Sequence, residues 1–217
     1  MKIFLFIVIF FLVSHSLKTS AAPIAITNPS FETGNLNGWT IGGLPNWQVS
    51  NIGTANNPVP NGTNVAEVLG FDNSTHTLTQ TFSNVLAASS ILTLSIDYDV
   101  RDNNLAYSAP RDFGARLYAG GNLLSLTSTS DLLMHLSTTW WYEKTVTYNI
   151  SGTDPNIGNQ LALEIFASGT SAQTAVSFDN VKLDVVPEAS TTGYLVLSGF
   201  CLAVFYSQKT IRAKFIF

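Results

Sequence analysis

The central part of this 217-residue chain alternates apolar and polar residues over six short stretches. They are residues 75–82, 91–100, 113–119, 141–150, 160–167 and 175–186. A period of two is typical of β-strands that bury one face, because successive side chains point to opposite sides of the strand. No comparable stripe of helical period occurs in this region. The pattern therefore predicts an all-β domain.

Turn-forming residues separate these stretches. Segments rich in glycine, proline, asparagine and aspartate, such as AGGN and SGTDPNIGN, lie between them, and NNPVPNGTN precedes the first. Many short strands with this punctuation predict an antiparallel β-sandwich or jelly roll rather than a parallel α/β sheet. Because neither an internal repeat nor a hinge-like linker interrupts the region, we expect one domain over residues 22–186.

The N-terminal end of the chain is continuously apolar instead. Residues 3–13, IFLFIVIFFLV, follow Lys2 and precede a short segment that ends in small residues, which is the layout of a secretory signal peptide. We predict a signal helix over residues 1–21, with cleavage after Ala21. An uncleaved membrane anchor is the alternative. Cys201 is the only cysteine and lies near the other end, so the exported domain can form no internal disulfide.

A second apolar run occupies residues 193–206. As a helix it would be about 21 Å long, shorter than the bilayer core of about 30 Å. A transmembrane helix over about residues 192–207 becomes possible if the basic side chains behind it snorkel, with the basic tail, residues 208–217, in the cytoplasm. A buried C-terminal helix of the domain is the alternative.

Charge further divides the chain. All fourteen acidic residues lie between Glu32 and Glu188, where only five basic residues occur, so this part carries a net charge of −9. Such a surface repels phosphate backbones, and we expect no nucleic-acid partner.

The sequence Val-Pro-Glu-Ala-Ser-Thr connects the last predicted strand to the C-terminal apolar run. Followed by a short apolar helix and a basic end, it resembles the PEP-CTERM sorting signal that exosortases of Gram-negative bacteria recognise. The motif positions are Pro187, Glu188 and Ala189, with alanine where a second proline is usual, and the tail lacks the common arginine cluster. The resemblance implies that residues 187–217 hold an exported bacterial protein transiently in the inner membrane before it reaches the cell surface or the medium.

The exported region resembles a second family. NPSFETGNLNGW (28–39), followed by HTLTQTF, LTLSIDYDV, WYEKTVTYNI and FDNVKLDVV, is similar in order to the segments of galactose-binding-like jelly-roll domains, including several carbohydrate-binding modules. In that family a structural calcium often joins the start of the chain to its end. The matching carboxylates are Glu32 and Asp179, which would need backbone carbonyls and water as further ligands. An exposed acid and a turn or edge residue are the alternative for these two positions.

Strand alternation predicts which polar side chains face outward. If the apolar residues of each strand face the core, their neighbours project away from it. The outward-facing set is Asp97, Asp99, Arg116, Tyr118, Trp141 and Glu164. Aromatic, guanidinium and carboxylate groups stack on sugar rings and bond their hydroxyls, so we predict a glycan-binding face if these residues lie together. Two ordinary solvated surfaces are the alternative. We expect Trp39 and Trp47 to be buried instead.

We therefore predict an exported surface or matrix protein that binds extracellular polysaccharide, with an exosortase-type processing enzyme and the membrane as its other partners. A purely structural surface protein is one alternative. An enzyme is another, because glycoside hydrolysis needs only two carboxylates about 5 to 9.5 Å apart and some cyclases have related calcium-bound jelly rolls. We predict no catalytic residue, since the chain has no G-x-S-x-G elbow, Cys/His metal cluster or phosphate-binding glycine loop.

Overall fold

Strands account for all the regular structure in the residues that this computed structural model describes, which are 21–43, 46–52, 58–69, 74–102, 112–125, 141–168 and 174–187. They are β1 (Ala22–Pro23), β2 (Thr40–Gly42), β3 (Trp47–Asn51), β4 (Asn64–Leu69), β5 (Thr75–Val85), β6 (Ser90–Asp102), β7 (Asp112–Ala119), β8 (Asn122–Leu123), β9 (Tyr142–Ile150), β10 (Gln160–Ser168) and β11 (Thr174–Pro187). The prediction of an all-β domain is confirmed.

The strands form two antiparallel sheets. The six-stranded sheet has the order β3-β4-β11-β6-β9, with β1 paired to β11, and the five-stranded sheet has the order β2-β5-β10-β7-β8. β11 lies inside its sheet, because it pairs with β6 along its whole length and with β4 and β1 on the other side. Residues 21–187 form one compact unit.

The inner faces of the sheets form the core. Leu92, Leu94, Ile96, Tyr98 and Val100 of β6 all face inward and are at most 4% exposed, as the alternation predicts. The five-stranded sheet contributes a facing apolar set from β7 and β10. Trp39 and Trp47 are buried, as expected, and supply large apolar surfaces to a core that has no disulfide.

All six predicted stretches are strands, with ends that differ by up to three residues. Alternation did not reveal β3 and β4. In β4 the four residues 65–68 are all buried, so the strand has no solvated face. Apolar residues occur on both of its faces, and the one charged side chain, Glu67, accepts hydrogen bonds from Ser50 and Ser177.

The terminal segments lie outside the described residues. These include residues 1–20 of the predicted signal helix, the predicted transmembrane helix and, within the sorting motif, Glu188 and Ala189. Among the residues that are described, no helix is long and apolar enough to cross a membrane.

Candidate functional site

Three of the predicted site residues lie together on the outer face of the five-stranded sheet. Glu164 of β10 is opposite Arg116 of β7, and Tyr118 is one pair further along, opposite Ala162. Their strand neighbours, including Leu117 and Leu163, face the core. We call Arg116, Tyr118 and Glu164 the polar cluster.

Contacts within the polar cluster fix its donors and acceptors. The Tyr118 hydroxyl donates a hydrogen bond to Oε1 of Glu164 at 3.1 Å. The Arg116 guanidinium lies 3.8 Å from the same oxygen and 3.6 Å from the Asp112 carboxylate. It also lies 3.6 Å above the ring centroid of Phe166, within the range of a cation–π contact. Arg116 is therefore held by contacts from two strands.

Phe166 faces away from the core but has no exposed surface. It is paired with Gly114 on one side and Thr77 on the other, and Arg116 covers its ring. The ring therefore supports the guanidinium and offers no surface of its own to a ligand.

Burial raises the pKa of Tyr118, and the neighbouring Glu164 carboxylate raises it further by charge and by hydrogen bonding. The phenol therefore keeps its proton at neutral pH. It remains a hydrogen-bond donor beside a carboxylate acceptor.

A row of threonines lies beside the polar cluster. Thr75, Thr77, Thr79 and Thr81 occupy alternate positions of β5, and their neighbours Leu78 and Phe82 belong to the core, so the threonines face outward. Thr79 is paired with Glu164, which makes this threonine row continuous with the polar cluster. The repeat is visible in the sequence as T-x-T-x-T-x-T, but its period of two by itself indicates only a strand.

Asp97, Asp99 and Trp141 do not join the polar cluster. Asp97 and Asp99 lie on β6 and Trp141 directly precedes β9, and both strands belong to the six-stranded sheet. The condition on which the six-residue glycan-binding face depended, that all six residues lie together, is therefore not met, and the residues divide between the two sheets. Alternation determines the side of a strand to which a residue points, whereas the sheet that the strand joins depends on distant pairing partners.

Asp97 and Asp99 are also buried rather than solvated, at 7% and 2% exposure. The side-chain amide of Asn180 donates a hydrogen bond to Oδ2 of Asp97 at 2.8 Å. Burial raises the pKa of Asp97, the Asn180 hydrogen bond lowers it, and the Glu143 carboxylate raises it again. These two acids belong to the interior of a hydrogen-bonded region and are not available to a ligand on an open face.

The two carboxylates predicted to bind calcium meet at one loop. Asp179 Oδ2 accepts a hydrogen bond from the Asn61 backbone at 2.9 Å, and Glu32 Oε1 accepts from the Thr63 and Asn64 backbones at 2.9 and 2.7 Å. Gly62 lies between Asn61 and Thr63 and has a φ of 83°, and a Cβ at this position would collide with the Glu32 carboxyl. The loop therefore links the first segment of the domain to its last strand.

The pKa of Asp179 is raised to about 7, first of all by burial and in smaller part by the Asp97 and Glu32 carboxylates, while backbone hydrogen bonds from Asn61 and Asn180 oppose the rise. Such crowding of buried negative charge favours a bound cation, and oxygen donors are those that calcium prefers. The residues therefore fit calcium chemically. Within the described ranges, no three histidine, cysteine or acidic side chains could hold a metal by themselves, so carbonyl or water oxygens would have to complete the shell.

Aromatic rings also connect the core to the surface at one end of the sandwich. Tyr98 lies 5.7 Å from Phe113 and 5.8 Å from Tyr142, measured between ring centroids. Tyr142 is stacked on Tyr98 and is 40% exposed. We call these three residues the aromatic stack. Its outer ring offers an apolar surface to a planar ligand.

Comparisons with known proteins identify relatives of the domain. The model of the HpiC1-like family, described as HpiC1 cyclase, matches residues 22–184. A search of curated proteins gives no significant match.

Solved structures share the fold at low identity. A cyclase from Fischerella sp. TAU has a TM-score of 0.60 and 22% identity, over 77% of this chain and 98% of its own. TmCBM61 in complex with β-1,4-galactotriose has a TM-score of 0.52 and 17% identity, over 75% and 98%. The CBM22-1 xylan-binding domain of Paenibacillus barcinonensis Xyn10C has a TM-score of 0.50 and 16% identity, over 79% and 97%. The common feature is the jelly-roll β-sandwich.

Proposed function

The chain belongs to the HpiC1-like cyclase family, whose jelly-roll fold is also that of carbohydrate-binding modules, and we propose that it binds a glycan on the outer face of its five-stranded sheet. The polar cluster carries this proposal. Sugar hydroxyls both donate and accept hydrogen bonds, and the cluster places guanidinium donors beside a carboxylate acceptor and a phenol. The galactotriose complex of a structural neighbour supports the same ligand class.

Local charge favours a neutral sugar. Arg116 lies between Asp112 and Glu164, so its positive charge is already compensated by two carboxylates. A uronic acid or sulfated sugar would add negative charge beside these two carboxylates. The exposed Asp112 would repel such a ligand. We therefore expect the polar cluster to select its ligand through hydrogen bonds to sugar hydroxyls and not through charge.

A glycan array on the full chain tests this function, and retention of no glycan would contradict it. For a retained glycan, Glu164→Gln should weaken binding by about 10- to 100-fold, since hydrogen bonds to charged groups are the stronger ones. The matched control is Glu143→Gln, an exposed carboxylate on the other sheet, which should leave the affinity unchanged. Equal losses in both variants would place the ligand elsewhere.

The chain is exported, in our proposal, and its C-terminal segment is processed by an exosortase-type enzyme after transient insertion in the inner membrane. The sequence around Pro187 supports this, and β11 ends at that residue, so the sorting motif begins where the sheet ends. The mature protein would remain at the cell surface or in the matrix. These steps deliver the polar cluster to polysaccharides outside the cell.

Processing predicts two new chain ends. Mass spectrometry of the protein from its native host should find an N-terminus near Ala22 and loss of the segment after about residue 188. An intact C-terminal segment on the extracellular protein would contradict the sorting proposal.

Calcium is a structural cofactor in this proposal. Glu32 and Asp179 would hold it, and the ion would neutralise their charge and tie the first segment to the last strand. Its role is in stability, since the polar cluster lies on the opposite sheet.

A cyclase-type enzyme is the second candidate, favoured by the family and by the aromatic stack. One solved Fischerella cyclase is in complex with 4-(1H-indol-3-yl)butan-2-one. If this chain handles such compounds, it should bind that ligand in a fluorescence titration, and Tyr142→Ala should weaken binding several-fold by removing the exposed ring. Absence of binding would reject this candidate without affecting the glycan proposal.

A further inference from the structure

We propose that the outer face of the five-stranded sheet selects one sugar unit at the polar cluster and binds the rest of an extended glycan chain along the threonine row. The ligand is then the interior of a linear, neutral polysaccharide and not a chain end. This inference rests on the glycan-binding function proposed above.

The first argument for an extended ligand is the length of the threonine row. Thr75 and Thr81 are six residues apart on one strand, which corresponds to about 20 Å at the rise of an antiparallel strand. Several sugar units would be needed to span that distance. A site for a single terminal sugar would use only the part of the row next to Glu164.

The second argument for an extended ligand is that the threonine row consists of four identical side chains. Each threonine presents a hydroxyl that can donate and accept, and the four residues are exposed or half-buried. Identical groups at equal spacing cannot distinguish one sugar from another. They add contacts with each further unit of a repeating chain.

The polar cluster is different because its groups occur once. The Glu164 carboxylate accepts from Tyr118 and faces the Arg116 guanidinium, and Thr79 is its partner on β5. Selectivity for one sugar therefore belongs to this point of the face. Thr75 lies four residues from Thr79, about 14 Å away at the strand rise, so a short ligand centred on the cluster does not reach it.

The experiment compares chain lengths and one distal variant. The full chain is titrated with β-1,4-galacto- and β-1,4-xylo-oligosaccharides of one, three and six units, the sugar classes of two structural neighbours. We expect affinity to rise with length. Thr75→Val, which removes the hydroxyl and keeps the β-branched shape, should weaken the six-unit ligand by about 3- to 10-fold and leave the three-unit ligand unchanged.

Thr147→Val is the matched control, because this threonine lies on β9 of the other sheet and faces outward there. It should change no affinity. Glu164→Gln should weaken ligands of every length, since each must occupy the polar cluster.

The outcomes separate the two proposals. Equal affinity for one and six units, or an equal effect of Thr75→Val on short and long ligands, would overturn the extended-chain inference and leave the glycan-binding function standing. Failure of every oligosaccharide and of the glycan array would instead overturn the function itself. If Thr147→Val weakened the long ligand as much as Thr75→Val, the threonine row would lose its assigned role.

Discussion

Chelation of divalent cations is expected to destabilise the domain by about 2.7 kcal/mol relative to protein in calcium at a hundredfold excess over Kd. A ligand that binds the folded state and not the unfolded state stabilises by this amount at that concentration. Glu32 and Asp179 are close together only when the first segment and β11 are both in place, because each accepts hydrogen bonds from the same loop. The unfolded chain therefore offers no comparable site.

The stabilisation of the domain by calcium should increase with pH. Asp179 has its pKa raised from 3.8 to about 7, first of all by burial. Without a cation, the contribution of this group to stability is fully present below pH 3.8 and is lost as the pH rises through about 7. Calcium binds the carboxylate and not the acid, so the difference in melting temperature between calcium and chelator should be larger at pH 8 than at pH 5.

Differential scanning fluorimetry of the full chain measures this difference. Glu32→Gln should abolish it, whereas Asp112→Asn, an exposed acid on the other sheet, should preserve it. A melting temperature indifferent to chelator at both pH values would reject calcium at this site.

Local pattern predicted the strands because burial of one face leaves a direct trace in the sequence. Leu92, Leu94 and Ile96 face the core, as their alternation with polar residues requires. The same reasoning missed β4, since its residues are buried on both faces. Apolar residues on both faces, such as Val65 and Ala66, obscure the period of two.

The site could be predicted only in part. Arg116, Tyr118 and Glu164 were found by alternation, and the pairing of Arg116 with Glu164 brings β7 and β10 together. Asp97 satisfies the same local rule but is paired with Asp179 in the other sheet. No local signal carries that choice, because it depends on strands that are distant in the sequence.

The burial of Asp97 has a similar origin. The ladder between β6 and β11 is irregular between Asp179 and Lys182, and Asn180 adopts a positive φ of 50° there. Asparagine tolerates this conformation better than most residues. The irregularity brings the Asn180 amide to Asp97, and a pattern read along β6 alone cannot show such a contact.

Truncation of Phe178 should have the largest effect on stability, about 3 to 5 kcal/mol for Phe178→Ala. Its side chain has no exposed surface, and its ring centroid lies 5.9 Å from that of Trp47. It is paired with Ala66 on one side and Tyr98 on the other, so neighbours on both strands would have to move to fill the cavity. Well-packed sheets relax only partly after such a loss.

Leu69→Ala on the adjacent strand β4 is the control, because Leu69 is 44% exposed and its truncation should cost about 1 kcal/mol or less. Urea unfolding of both variants would show the difference as a lower midpoint at an unchanged m-value. The loss at Phe178 should lower the melting temperature by roughly 10 °C, on the basis of about 2 to 4 °C per kcal/mol for a domain of this size. Glycan affinity well below that temperature should stay as in the wild type, since Phe178 faces the core and the polar cluster faces the solvent. Equal destabilisation by the two variants would mean that Phe178 does not occupy the centre of the sandwich.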